Sequence, residues 1–345
     1  MNNMVRKLTL VAAVCLLAAA CAKENTMTSG EKAKTYLDLY MEKYHPGLKP
    51  NADGIYIMED IPGTGKTWSE DSTYTYARST IRTLSGTISA TTEEEVAQQI
   101  GTYVKGNYYG PKYSIMGKGS SYAGVDAMLK GMKFGGSRRV IIPSWLLTTD
   151  RYDTMDEYIK ACTSETHMEY TVSLEWQTDS IQRTEIDSLE RYVKRVEKGK
   201  TRADSDIFAD GVKLGSFYFM TDSSAFKGKD HFKADTTMNI NYTGYLLNGQ
   251  VFDTTLEKIA KDGGIYSSSK SYEPVSVTFA SDYTKITMDS NSLITGFQVG
   301  LSKMHWIGQK ATVYFTSEHG YSSTGSGEAI PPYSPLCFEI EIVKE

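Results

Sequence analysis

Residues 238–247 read Met-Asn-Ile-Asn-Tyr-Thr-Gly-Tyr-Leu-Leu, run into Asn248-Gly249, and return as Gln250-Val251-Phe252-Asp253. Alternating character places successive side chains on opposite faces of a strand, and Asn-Gly supplies the positive φ that a tight hairpin turn needs. The pair therefore predicts two antiparallel strands in a fixed register. Leu336, Phe338, Ile340 and Ile342 alternate on one face of a final strand over 335–344, and 309–317 form another. Composition leans the same way: 24 Tyr against 11 Phe and 4 Trp suits strands whose surfaces are both apolar and hydrogen-bonding. With 40% hydrophobic and 23% charged residues, 29 Gly and 9 Pro, the chain is globular and neither disordered, collagenous nor coiled-coil. Its 345 residues set a prior of about two domains.

Arg6 and Lys7 precede an apolar run over 8–20. As a helix it would span roughly 20 Å, short of a ~30 Å hydrocarbon core, so it reads as a signal peptide. The run ends Leu17-Ala18-Ala19-Ala20-Cys21, which resembles a bacterial lipoprotein box with Ala18 where Leu is commoner. That resemblance implies a diacylglyceryl-modified Cys21, a membrane anchor through it, and a periplasmic or outer-membrane place in the cell envelope. A plain secretory signal with an incidental cysteine is the alternative. Residues 21–30 then form a polar tether. The net charge of −5, with Lys and Arg dispersed, offers no basic stripe for phosphates, which excludes nucleic acid and leaves a protein or peptide as partner.

Ala33, Tyr36, Leu37, Tyr40 and Met41 recur at helical spacing over 31–44, ended by His45-Pro46-Gly47. A second helix is predicted over 179–199, with Ile186, Leu189, Val193 and Val196 on one stripe, charges elsewhere and Gly199 as a stop. It is either a stiff arm of roughly 30 Å or a helix packed on one of the domains. Cys162 and Cys337 fall in different proposed domains, so free, mostly buried thiols are expected, a disulfide being the less supported alternative. The histidines, at 45, 167, 231, 305 and 319, lack metal-ligand spacing, and Gly131, Gly135 and Gly136 lack the Gly-Lys-Ser/Thr of a phosphate loop. Neither metal nor cofactor is expected.

In the second half, Tyr242-Thr243-Gly244 is followed by Gly249 with Phe252-Asp253, then Leu293-Ile294 with Gly296-Phe297, Met304, Gly308, Tyr321, and Ile330-Pro331-Pro332 leading to Phe338. In this order they resemble the FK506-binding protein family of peptidyl-prolyl cis-trans isomerases, over about residues 211–345. The resemblance implies a twisted antiparallel sheet wrapped around one short helix, here at 293–301. It places Phe297 as the floor under a proline ring, with Tyr242, Phe252, Val277, Leu293, Ile294 and Phe338 as walls. The Tyr321 hydroxyl and the Ile330 N–H would be hydrogen-bond donors, and Asp253 would orient the rim. It also implies proline-containing polypeptides as substrates and FK506-like macrolides as further ligands. Phe297 stands where the family most often has Trp, and Val275 where an aromatic is common. Residues 254–272 and 280–292 exceed the family's minimum and read as loops that modify what the site accepts.

The first half repeats the scheme. Residues 54–58 with Pro62-Gly63-Thr64-Gly65 echo an opening strand and turn, 124–143 match the short helix and its following strand, and 168–176 supply a last strand. Aligning Gly86 with Gly249 puts Ser79 for Tyr242, Ser89 for Phe252, Ala90 for Asp253, Val125 for Phe297 and Tyr170 for Phe338. The expected class is α+β: two FK506-binding-protein-like domains, each a twisted antiparallel sheet around a short helix, joined by a helical linker. The expected division is signal 1–20, tether 21–30, pocketless domain 31–178, linker 179–204 and isomerase domain 205–345. The rival readings are a peptide-holding chaperone and an envelope scaffold without turnover.

Overall fold

The computed structural model describes residues 27–343 apart from 72–73, 118–119, 197–214, 223, 228, 230 and 234. The expected signal peptide, Cys21 and the far end of the linker lie outside the described residues. Helix α1 (Ser29–Tyr44) opens the chain. It starts ahead of the predicted 31 because Thr28 and Glu31 form a reciprocal cap: Glu31 N–H donates to the Thr28 hydroxyl at 3.3 Å, and Thr28 N–H donates to the Glu31 carboxylate at 2.8 Å. Ala33, Leu37 and Met41 are buried, while Tyr36 is half exposed.

The first sheet comprises β1 (Tyr56–Ile61), β2 (Tyr74–Thr83), β3 (Ile88–Thr91), β4 (Lys112–Ile115), β5 (Gly136–Ile142) and β6 (Met168–Thr178), ordered β1-β5-β6-β2-β3 with β4 also on β2. Helices α2 (Glu94–Gln99), α3 (Ala123–Leu129) and α4 (Met155–Ala161) accompany it. Val125, Met128 and Leu129 of α3 are buried in one core with Val140, Ile142, Val172 and the inner face of α1.

Helix α5 (Ile181–Val196) leads to the second sheet. Its members are β7 (Phe217–Thr221), β8 (Thr237–Leu246), β9 (Val251–Thr254), β10 (Val275–Thr278), β11 (Thr287–Met288), β12 (Asn291–Ser292), β13 (Lys310–Phe315) and β14 (Leu336–Val343). They run β12-β11-β10-β8-β14-β13-β7, with β9 on β8, and α6 (Glu257–Gly263) and α7 (Thr295–Ser302) complete the half. Every pairing in both sheets is antiparallel, so the molecule is α+β, two antiparallel sheets each with its short helix. The Asn248-Gly249 turn forms as predicted, with Gly249 at φ +89° and Leu246 N–H donating to the Gln250 carbonyl at 2.9 Å.

The two sheets share a template down to register. Phe338 lies opposite Gly244 and Tyr170 opposite Ile81, each five residues before its turn glycine. Asp253 faces Gly244 as Ala90 faces Ile81. Two expectations are corrected. Residues 254–272 are not loop throughout: α6 forms there, stabilised by Glu257–Lys261 and Lys258–Asp262 pairs one turn apart and by a fully buried Ala260. Residues 280–292 hold the small hairpin of β11 and β12. The polar composition concealed both.

Helix α5 packs on the outer face of the second sheet, where Leu189 and Val193 meet Tyr218, Met220, Tyr314 and Cys337. Its buried stripe departs from the predicted one: Val196 is exposed, and Glu185 takes the place of an apolar residue at 4% exposure. Cys162, half-buried, and Cys337, buried, keep their thiols and are not joined in a disulfide.

Candidate active site

Strand β8 is flanked by β14 and β9, which bring Phe338 and Asp253 to Gly244 from either side. A Cβ on Gly244 would lie 2.5 Å from the Phe252 ring and 2.9 Å from that of Phe338. Glycine lets both rings close over the strand. Phe338 is the hub, with the ring centroids of Phe297, Phe252 and Phe315 at 4.8, 5.4 and 5.8 Å. Tyr242 packs edge-on against Phe297 at 5.5 Å. Offset and edge-on ring pairs of this kind contribute beyond their buried area. Phe297 reaches the cluster from the first turn of α7 and is 2% exposed.

One wall carries a polar seam. The Tyr242 hydroxyl donates to Asp253 Oδ2 at 2.6 Å, Thr254 N–H donates to Oδ1 at 2.9 Å, and the Lys270 ammonium pairs with the same Oδ1. Burial, reinforced by the Asp253 charge, holds the Tyr242 pKa well above its ordinary 10.0, so the hydroxyl keeps its proton and stays a donor. Tyr321 is pushed up for the same reasons in the same order. Its hydroxyl has no hydrogen-bond partner among the described residues and is half-buried.

Of the predicted residues, Tyr242, Phe252, Asp253, Phe297, Tyr321 and Phe338 converge on this cluster, and Leu293 and Ile294 pack half-buried against the same core. Two predicted roles are corrected. Val277 is fully buried on the inner face of β10, which makes it core and not a wall; Val275, two residues earlier on the same face, is half-buried. The Ile330 N–H is not free, since it donates to the Ser326 carbonyl at 3.1 Å while Ser326 N–H donates to the Ile330 carbonyl at 2.8 Å. That closed bridge engages the donor within its own loop.

Sequence reasoning passed over another donor. Ile294 is the N-cap of α7, with extended φ −63° and ψ 143°, and its N–H has no acceptor among the described residues. The signal was the helix start itself, because the first N–H groups of a helix have no partner inside it. Also unforeseen is a segment of the first half, residues 105–112, that meets the rim. Tyr108 packs against the second half's core and its N–H donates to the Glu328 carbonyl at 2.8 Å. Lys105 Nζ donates to the Asp262 carbonyl at 2.7 Å, and Gln250 Nε2 to the Gly106 carbonyl at 3.0 Å. A cleft of about 250 Å³ beside this contact is lined by Tyr76, Tyr108, Tyr113 and Pro331 and lies outside the ring cluster. In the first half, the corresponding Ser79, Ser89, Ala90 and Val125 bring no ring, Ser89 and Ala90 being exposed.

Comparison with known proteins falls on the same residues. The family described as FKBP-type peptidyl-prolyl cis-trans isomerase matches residues 228–343. FK506-binding protein 1B of Aspergillus fumigatus is 32% identical over 117 residues, which cover 34% of this chain and 84% of that protein. The chain belongs to the FK506-binding protein family. A further relative, the FK506-binding protein of Neisseria meningitidis serogroup A, is 30% identical over 120 residues, 35% of this chain and 83% of its own length. Among solved structures, FkpA from Escherichia coli is 20% identical, with 47% of this chain and 60% of that one covered and a TM-score of 0.30. Family membership rests on the second half, where β8, β9, α7, β13 and β14 lie. Among the described residues, no group of three or more His, Cys, Asp or Glu could hold a metal ion, and no helix is long and apolar enough to cross a membrane.

Proposed function

We propose that the second half is a peptidyl-prolyl cis-trans isomerase for proline-containing polypeptides and that the first half is a pocketless relative that abuts its rim. Rotation about an Xaa-Pro amide meets a barrier of ~18–20 kcal/mol and takes tens of seconds or more unaided. No covalent bond need break, so the task is to lower the cost of losing amide resonance. The planar amide is more charge-separated than the twisted one, and a dry aromatic site therefore favours the twist. Phe297 is assigned the floor, Tyr242, Phe252, Leu293, Ile294 and Phe338 the walls, and Asp253 the rim. The free Tyr321 hydroxyl and Ile294 N–H would hold the flanking carbonyls in a twist-ready pose.

The observation that carries the reading is the ring cluster around Phe338 with an unpartnered Tyr321 hydroxyl beside it. The test is acceleration of Xaa-Pro isomerisation by the full chain, followed by exchange NMR on several peptides. Tyr321→Phe removes a hydrogen bond worth roughly 0.5–1.5 kcal/mol, about three- to tenfold in kcat/KM if the bond tightens on twisting. Absence of acceleration by the parent chain would sink the catalytic reading.

The closed Ile330–Ser326 bridge and the 105–112 contact favour a second reading, a chaperone that holds peptide without turning it over. Peptide line broadening without exchange between isomers would select it. FK506-like macrolides are proposed as competing ligands of the same rings. We propose domains at 31–178 and 205–345 joined by 179–204, with α5 working as part of the second body. The box-like residues ending at Cys21 support a lipid anchor at the cell envelope and envelope proteins as substrates; a Cys21→Ser chain that still partitions into detergent would exclude the anchor.

A further inference from the structure

The loop that presents Tyr321 is tied at its base to α5. Both Glu185 carboxylate oxygens are engaged by one residue: Ser317 N–H donates to Oε2 and the Ser317 hydroxyl to Oε1, each at 2.6 Å. Glu185 and Ser317 are both 4% exposed, and no cation pairs with Glu185 among the described residues. A buried carboxylate is costly to keep unless its oxygens are satisfied, so the two bonds hold the Ser317 backbone in one place. Ser317 passes that constraint on. Its carbonyl accepts Gly320 N–H at 2.9 Å and Ser322 N–H at 2.8 Å, the two amides on either side of Tyr321. Ser322 has φ +50°, a left-handed conformation that a serine keeps only when its surroundings enforce it. Tyr333 N–H adds a bond to the Ser322 carbonyl at 2.9 Å.

We propose that Glu185 is a positioning residue for the isomerase site: through Ser317 it fixes the backbone on both sides of Tyr321 and so sets where the Tyr321 hydroxyl stands. The inference rests on the catalytic reading for its effect on rate, and on geometry alone for its effect on the loop. It makes α5 part of the working unit and not a spacer. Leu189 and Val193 dock the helix on the sheet, and Glu185, one turn before Leu189, reaches over the sheet's end to the loop.

A residue that acts through Tyr321 cannot cost more than Tyr321 itself contributes. In the full chain, Glu185→Ala should lower kcat/KM about three- to tenfold, matching Tyr321→Phe. In a Tyr321→Phe background the same substitution should cost less than about 1.5-fold, because the group being positioned is already gone. Glu185→Gln should stay within about twofold of the parent, since its carbonyl can accept the Ser317 N–H and its amide can donate to the Ser317 oxygen. Amide exchange supplies a readout independent of turnover: Gly320 and Ser322 should lose protection at least tenfold in folded Glu185→Ala and regain it in Glu185→Gln. Losses that multiply in the double variant, or unchanged protection in a folded Glu185→Ala chain, would overturn the proposal. A parent chain without isomerase activity would remove the catalytic reading and leave the exchange experiment to decide the clamp.

Discussion

Gly244→Ala perturbs the site without touching a polar group. The added methyl would sit 2.5 and 2.6 Å from two Phe252 ring carbons and 2.9 Å from one of Phe338, whereas ordinary contact begins near 3.4 Å. Something must retreat by about 1 Å. Phe338 is wedged between Phe297 and Phe315 and is 5% exposed, while Phe252 is half-buried on a four-residue strand, so Phe252 yields. Overpacking of this size costs roughly 1–3 kcal/mol of stability, read as a lower denaturant midpoint at unchanged slope. The rate should suffer more than stability, because a displacement of about 1 Å in a positioning wall can cost up to about a hundredfold. Exchange NMR on an Xaa-Pro peptide, below the unfolding transition of both chains, should therefore give a kcat/KM at least tenfold below the parent. A variant destabilised as expected but equally active would refute Phe252 as a wall. One unchanged in both respects would refute the close approach at Gly244.

Two further outcomes follow from burial and charge. Leu189, fully buried between α5 and the second sheet, should cost roughly 2–5 kcal/mol as Leu189→Ala, seen as a loss of stability in the second half with isomerase activity falling on the same curve. Independence of the two curves would make α5 a passive arm. In the first half, burial holds the His167 pKa below its ordinary 6.5. Its Nδ1 accepts Ser144 N–H at 2.9 Å and its Nε2 lies 2.9 Å from the Ala33 carbonyl, a pairing that suits the neutral ring. The unfolded state thus binds the extra proton, so His167 stabilises fully above pH 6.5 and that contribution fades as pH falls below it. The fluorescence of Trp145, edge-on to the ring at 5.6 Å, reports it: unfolding free energy should drop between pH 6.5 and 5 in the parent and less steeply in His167→Gln.

The sequence disclosed most where a side chain's chemistry and the local period agreed. The Asn248-Gly249 turn and the alternation of β14 were legible because each is set by neighbours within a few residues, while the ring positions 242, 252, 297 and 338 were legible through the resemblance that their order carries. What escaped depended on distant partners. A Glu on a helix otherwise reads as solvent-facing, and nothing near Glu185 announces that Ser317, more than a hundred positions later, will satisfy both its oxygens. The occupied Ile330 N–H depends likewise on how the loop folds back to Ser326. Helix α6 was hidden for another reason: the polar stretch that holds it resembles a loop, whereas Gly263 and Gly264 close a helix whose charged pairs and buried Ala260 lie just before them.

The paired registers separate what makes the frame from what makes the site. Tyr170 opposite Ile81 and Phe338 opposite Gly244 occupy equivalent ladder positions, and Val125 and Phe297 each stand third in their short helices. Backbone pairing and the helix under the sheet therefore persist with Ile at one position and Gly at its equivalent, and with Val or Phe beneath. The difference lies in space over β8: Gly244 admits two rings where Ile81 fills the strand with its own side chain. A ring cluster cannot be rebuilt in the first half by restoring Phe at Val125 alone, because Ile81 would still stand where Phe252 and Phe338 close over Gly244. The bare strand position and the aromatic floor are separate requirements, and only the second half meets both.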